Sequence, residues 1–169
     1  MPEKPAFGFT LIEILVTISL IGVLSSIGIA SYIEFSRRQL VLQTARKIVE
    51  DIRLAQSLAA NNQKPEGCLG TLNGYTFRFD SSLPASLNYS INIKCSGGVD
   101  GVKTTNPYRT GSLPPDFTHN GFDKIFFNVL NQGTTCTPDT DPCQLTLSGN
   151  SFSQIISVGT GGVIKVEEE

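Results

Sequence analysis

The segment Phe9–Ile33 constrains this chain more than any other. It is almost wholly apolar or small over about 25 residues, which as a helix is roughly 37 Å long and can cross a bilayer core. Its only side chain charged at neutral pH is Glu13. A carboxylate near the end of such a helix costs roughly 2.5–3.5 kcal/mol if it must sit deep in lipid. It persists only if it has a partner or a task. A short polar leader, Met1–Gly8, carrying Glu3 and Lys4, precedes the run. No Ala-x-Ala-like site follows it, so the run does not read as a secretory signal cleaved behind its apolar core.

A cut between Gly8 and Phe9 would supply the missing partner. Phe9 would then carry a new ammonium group one helical turn from Glu13. In a bundle of such helices, the ammonium of one subunit meets the carboxylate of its neighbour. Both charges are neutralised inside an apolar core, and the axial register between subunits is fixed.

The string Gly8-Phe9-Thr10-Leu11-Ile12-Glu13, followed by an apolar helix, resembles the type III signal of prepilins and pseudopilins, the type IV pilin-like family. The resemblance implies that a membrane prepilin peptidase cuts after Gly8 and methylates Phe9. It implies that Glu13 is the assembly glutamate. It also implies a type IV pilin-like fold and a filament of pilin or pseudopilin subunits as partner. Ala30 stands where many members of the family carry a proline.

Beyond Ile33 the pattern turns amphipathic. Val41, Ala45, Ile48, Ile52, Ala55 and Ala59 recur at alternating spacings of four and three, which predicts one apolar stripe on a helix. Arg37, Arg38, Lys47, Glu50, Asp51 and Arg53 are expected largely off that stripe, with the two arginines near a membrane surface or on a solvated face. Asn61-Asn62-Gln63-Lys64-Pro65 is the expected stop, since asparagine suits a C-cap and proline cannot continue a helix. The two halves read as one helix of about 50 residues. The stretch Ala45–Ser57 also resembles the GspH/FimT-like branch of the family. So does the C-terminal Gly161-Gly162-Val163, which stands where that branch has a Gly-Arg-Val-like segment and which lacks the arginine.

After Pro65 the period changes to two. Tyr75, Phe77 and Phe79 alternate with polar residues, as do Tyr89, Ile91, Ile93 and Cys95. Ile125–Val129 is a third expected strand. Leu145–Leu147, Ile155–Val158 and Val163–Val166 form an expected C-terminal meander with glycine-bearing turns. The expected fold class is α+β, one long helix packed on an antiparallel β domain. The organisation is leader 1–8, filament-core or transmembrane helix 9–33, amphipathic helix 34–64 and β domain 65–169. The polar stretch between Cys95 and Phe122 reads as a long surface loop with room for one short strand.

Cys68, Cys95, Cys136 and Cys143 all follow the apolar helix, which fits disulfides in an oxidising compartment. A Cys68–Cys95 bridge and a local Cys136–Cys143 bridge are both sterically open. Four cysteines allow three connectivities, and unpaired thiols are a further alternative. Zinc fails on spacing, because no close Cys-x-x-Cys pair exists. Asp139 and Asp141 lack an EF-hand-like ligand series and read as a solvated turn. His119 reads as a polar loop residue. No nucleophile–base constellation or phosphate loop is present, so no catalytic residue, metal or cofactor is expected.

The expected role is that of a structural subunit, not an enzyme. It would be a minor pseudopilin or minor pilin of a type II secretion or type IV pilus machine, single-pass in the inner membrane with the β domain outside the cytoplasm. The alternative is a minor pilin that binds DNA or a surface. After Ser57 the chain carries 7 Lys/Arg against 10 Asp/Glu, which argues against broad nucleic-acid binding. A patch of Lys94, Lys103 and Arg109 would be its best support.

Overall fold

The computed structural model of the chain describes residues 8–66, 68, 70–79, 89–96, 107–131 and 133–168. They fall in two compact units, Met1–Arg38 and Gln39–Glu169.

One helix, α1, runs Leu11–Ala60. Thr10 is its N-cap. The Thr10 carbonyl accepts the first helical bond from Ile14 N–H, and its hydroxyl accepts from Glu13 N–H at 3.3 Å. The far end closes as a Schellman turn. Asn62 takes φ 48°, its N–H donates to the Ala59 carbonyl, and Gln63 N–H donates to the Leu58 carbonyl. Asparagine tolerates this left-handed conformation, which is why the helix stops here and not at Pro65.

In the second unit the apolar stripe of α1 is buried from Val41 to Ala59. The buried arc is wider than that stripe. Thr44, Asp51 and Leu58, spaced by seven residues, are also buried and broaden it.

Nine strands follow among the described residues. They are β1 (Thr71–Phe79), β2 (Tyr89–Ser96), β3 (Arg109–Gly111), β4 (Phe117–Gly121), β5 (Lys124–Asn128), β6 (Thr134–Thr137), β7 (Cys143–Gly149), β8 (Phe152–Val158) and β9 (Ile164–Glu168). All their pairings are antiparallel. The α+β order therefore holds. The strands divide between two sheets, of order β3-β2-β1-β5-β6 and β4-β7-β8-β9. The stretch between Cys95 and Phe122 contributes two strands, β3 and β4, where at most one was expected.

The inward alternation is as the sequence predicts. Tyr75, Phe77, Phe79, Tyr89, Ile91, Ile125 and Phe127 of the larger sheet share one apolar core with Leu145, Leu147, Ile156 and Val158 of the smaller. The chain crosses between sheets at Gly121–Lys124. Phe122 N–H donates to the Gln144 carbonyl, and Asp123 N–H donates to the Thr137 carbonyl. Gly121 has φ 128°, and a Cβ there would strike the Gln144 backbone, so only glycine fits this corner.

Candidate functional site

The sequence points first to the start of α1. Thr10 and Glu13 have the Thr-x-x-Glu spacing of a capping box, and the Thr10 half is formed. Glu13 is thus the first-turn acid of α1, where a negative charge is favoured by the helix dipole. Gly8 lies ahead of the helix. No described residue lies within 4 Å of a Cβ built on Gly8, so no packing among the described residues demands glycine there.

The side chains behind Glu13 present an apolar surface. Phe9, Leu11, Ile12, Ile14, Leu15, Val16 and their successors through Phe35 include exposed large hydrophobics at nearly every turn. Three of its hydroxyls are satisfied by their own helix. Thr17 donates to the Ile14 carbonyl at 2.9 Å, Ser19 to Leu15 at 2.8 Å and Ser26 to Val23 at 2.7 Å. Those three hydroxyl donors therefore need nothing from outside, as an apolar medium requires. A window of α1 with mean hydropathy 2.2 is long and apolar enough to cross a membrane.

The cysteines form two disulfides. Cys68 and Cys95 are joined with Cα atoms 5.9 Å apart, and Cys136 and Cys143 with Cα atoms 6.1 Å apart. The second closes the exposed loop that carries Asp139 and Asp141. Among the described residues no group of three or more His, Cys, Asp or Glu gathers there or elsewhere in metal-binding reach.

Two of the three basic residues, Lys94 and Arg109, are not brought together. Lys94 lies on the outer face of β2, opposite Gly74. Arg109 is registered against Ile91, on the inner side, and its Nε lies 3.0 Å from the Asp51 carboxylate. Lys103 is outside the described residues.

That ion pair corrects the reading of Asp51 as an off-stripe residue. Asp51 is buried, and its other oxygen accepts from the Tyr89 hydroxyl at 2.8 Å. Burial, the hydrogen bond and the adjacent carboxylate hold the Tyr89 phenol above its ordinary range. Gly111 faces Tyr89 across the strand pair, and any Cβ there would enter the Tyr89 ring. The seven-residue row Thr44–Asp51–Leu58 was the available sequence signal. It was masked because acids on helices are mostly solvated.

His119 is in strand β4, not in a loop. Its ring stacks on Phe79 with centroids 4.0 Å apart. The loss of water on that side lowers its pKa, which Asp123 partly opposes. Gln56 ties α1 to the β8–β9 turn by donating to the Gly162 carbonyl at 3.0 Å. Gly162, with φ 79°, leaves no room for a side chain against that amide.

The family described as Prokaryotic N-terminal methylation motif matches residues 4–29. No curated protein and no solved structure matches the chain. The match takes in the Gly8–Glu13 string and the apolar part of α1 and includes none of the β domain. The motif implies processing by prepilin peptidase and assembly with other pilin subunits in a membrane-associated filament. The amino-terminal segment is thus a prepilin methylation motif on a membrane-anchoring helix, and it supports a type IV pilin-like precursor.

Proposed function

We propose that this chain is a minor pseudopilin or minor pilin of a type II secretion or type IV pilus machine. The peptidase cleaves between Gly8 and Phe9 and methylates the Phe9 amine. The new ammonium meets Glu13 of a neighbouring subunit as the helices pack. The single observation that carries this reading is the start of α1. Thr10 caps the helix, Glu13 is the one acid of its first turn, and the large apolar side chains behind them are exposed among the described residues. A carboxylate so placed in lipid is costly, and assembly offsets that cost.

The β domain lies outside the cytoplasm in this reading, which two disulfides favour. In this reading the chain belongs nearest the GspH/FimT-like branch, which the resemblance of Ala45–Ser57 and of Gly161-Gly162-Val163 supports. Gly162 serves a turn against Gln56, so the absent arginine has a local physical reason. The subunit is structural and carries no catalytic residue.

The test is the mature amino terminus. Co-expression with a prepilin peptidase should yield a chain that begins with methylated Phe9, read by intact mass and peptide sequencing. Any other start would overturn the proposal.

A further inference from the structure

Helix α1 begins at Leu11, so the Gly8–Phe9 bond, where the proposed cleavage falls, lies outside it. Gly8, Phe9 and Thr10 are non-helical and exposed. Thr10 sets this boundary. An α-helix leaves its first backbone donors without carbonyl partners. The Thr10 hydroxyl takes one of them, accepting from Glu13 N–H at 3.3 Å. That is the bond the Phe9 carbonyl would accept if the helix began one residue earlier. One step earlier still, Ile12 N–H would take the Gly8 carbonyl, which belongs to the scissile bond. The hydroxyls of Thr17, Ser19 and Ser26 act in the opposite sense, each donating to a carbonyl of the preceding turn.

Left uncapped, α1 has reason to run further back. Its first half is apolar, and in an apolar medium an N–H without a partner is costly. Sterics do not bar the extension, because no described residue lies within 4 Å of a Cβ built on Gly8. Glycine resists helical backbone without forbidding it. Gly8 therefore weakens the extension, and the Thr10 hydroxyl occupies a donor that would drive it.

We propose that Thr10 is a positioning residue for leader cleavage, an inference that rests on the function proposed above. Its hydroxyl keeps the Gly8 carbonyl out of the helix, in exposed backbone of the kind that peptidases cut. In the hydrolysis a water oxygen bonds to the Gly8 carbonyl carbon and the C–N bond to Phe9 breaks. The products are a Gly8 carboxylate and a Phe9 ammonium. A Gly8 carbonyl bonded to Ile12 N–H would have to melt out before attack, so the rate falls with the fraction of chains whose scissile segment is free. What position 10 needs is a short side chain with an acceptor, which serine and asparagine also supply.

The experiment follows cleavage of the full chain in detergent micelles by limiting prepilin peptidase, with the product read by mass. Thr10→Val has the same shape without the acceptor and should be cleaved about fivefold more slowly. Thr10→Ser and Thr10→Asn, caps of different shape, should be cleaved within about twofold of the wild type. In the uncleaved chain, the carbon chemical shifts of Phe9 and residue 10 should move toward helical values in Thr10→Val and not in Thr10→Ser. Wild-type cleavage between Gly8 and Phe9 with Thr10→Val processed as fast overturns this inference alone. Slow cleavage of either Thr10→Ser or Thr10→Asn also overturns it, since the peptidase would then be reading threonine itself. Unchanged shifts in Thr10→Val do the same. A wild-type chain not cut between Gly8 and Phe9 overturns the functional proposal, and this inference with it.

Discussion

Arg109 Nε lies 3.0 Å from the Asp51 carboxylate, so edge strand β3 is tied to helix α1 by a charge pair that only one partner buries. Arg109 is 52% exposed and Asp51 3%. Loss of either partner is therefore unequal. Without Arg109, a buried carboxylate keeps, among the described residues, the Tyr89 hydroxyl. Without the Asp51 charge, Arg109 turns to water. Arg109→Ala should cost about 2–3 kcal/mol, less than a fully buried pair because the arginine is half in solvent. Asp51→Asn, which can still accept from Tyr89, should cost about 1 kcal/mol. The double variant should be less destabilised than the sum, measured by denaturant unfolding in detergent. Strict additivity would sink this assignment.

The two disulfides should differ in worth. Cys68–Cys95 spans 27 residues and Cys136–Cys143 spans 7. Loop-closure entropy then gives about 3.5 kcal/mol for the first and about 2.4 kcal/mol for the second. Paired Cys→Ser variants should lose stability in that order. The first also anchors the entry to β1 against β2, since Cys95 is registered beside Leu72. An equal or reversed order would show that closure entropy does not govern here.

His119 should make stability fall on mild acidification. Its ring is partly desolvated on Phe79, and its folded pKa lies below the ordinary 6.5. The unfolded chain therefore takes up the proton first as pH falls. The stabilisation is fully present above pH 6.5 and is lost as pH drops from there through the folded pKa. Asp123 opposes the effect, so the slope should be small. His119→Phe keeps an aromatic ring on Phe79 and removes the titration. The melting temperature of the wild type minus that of this variant should decline between neutral and mildly acid pH. A flat difference would remove His119 as the cause.

How much of this was legible follows from the kind of signal. The helix was readable because Val41, Ala45, Ile48, Ile52, Ala55 and Ala59 keep one period and all are buried. Strands with large inward residues, such as Tyr75-x-Phe77-x-Phe79, were readable for the same reason. Strand β4 was not, since Phe117-Thr118-His119-Asn120-Gly121 buries only its first residue and so carries no alternation. Division into two sheets depends on Gly121 and Phe122 turning the chain, a tertiary event with no periodic trace. Asp51 and Arg109 were separated by 58 positions (109 − 51), and only the fold brings them together.

At the amino terminus, three neighbouring residues should fail in three different ways. Among the described residues Gly8 meets no neighbour that a Cβ would disturb, so Gly8→Ala should leave the β domain's melting temperature unchanged while uncleaved precursor accumulates. A glycine needed for folding would show the opposite. Thr10 caps α1, so Thr10→Val should weaken the first turn by about 1 kcal/mol, and Thr10→Ser should restore it. Amide exchange at Glu13, whose N–H the hydroxyl accepts, reads that loss directly. Glu13→Gln keeps the length and polarity of the side chain but removes its charge. Cleavage to Phe9 should proceed, and co-purification with partner subunits should drop about tenfold or more as the Phe9 ammonium loses its counter-charge in an apolar bundle. Incorporation at the wild-type level would separate Glu13 from assembly and leave it only its place in the first turn of α1.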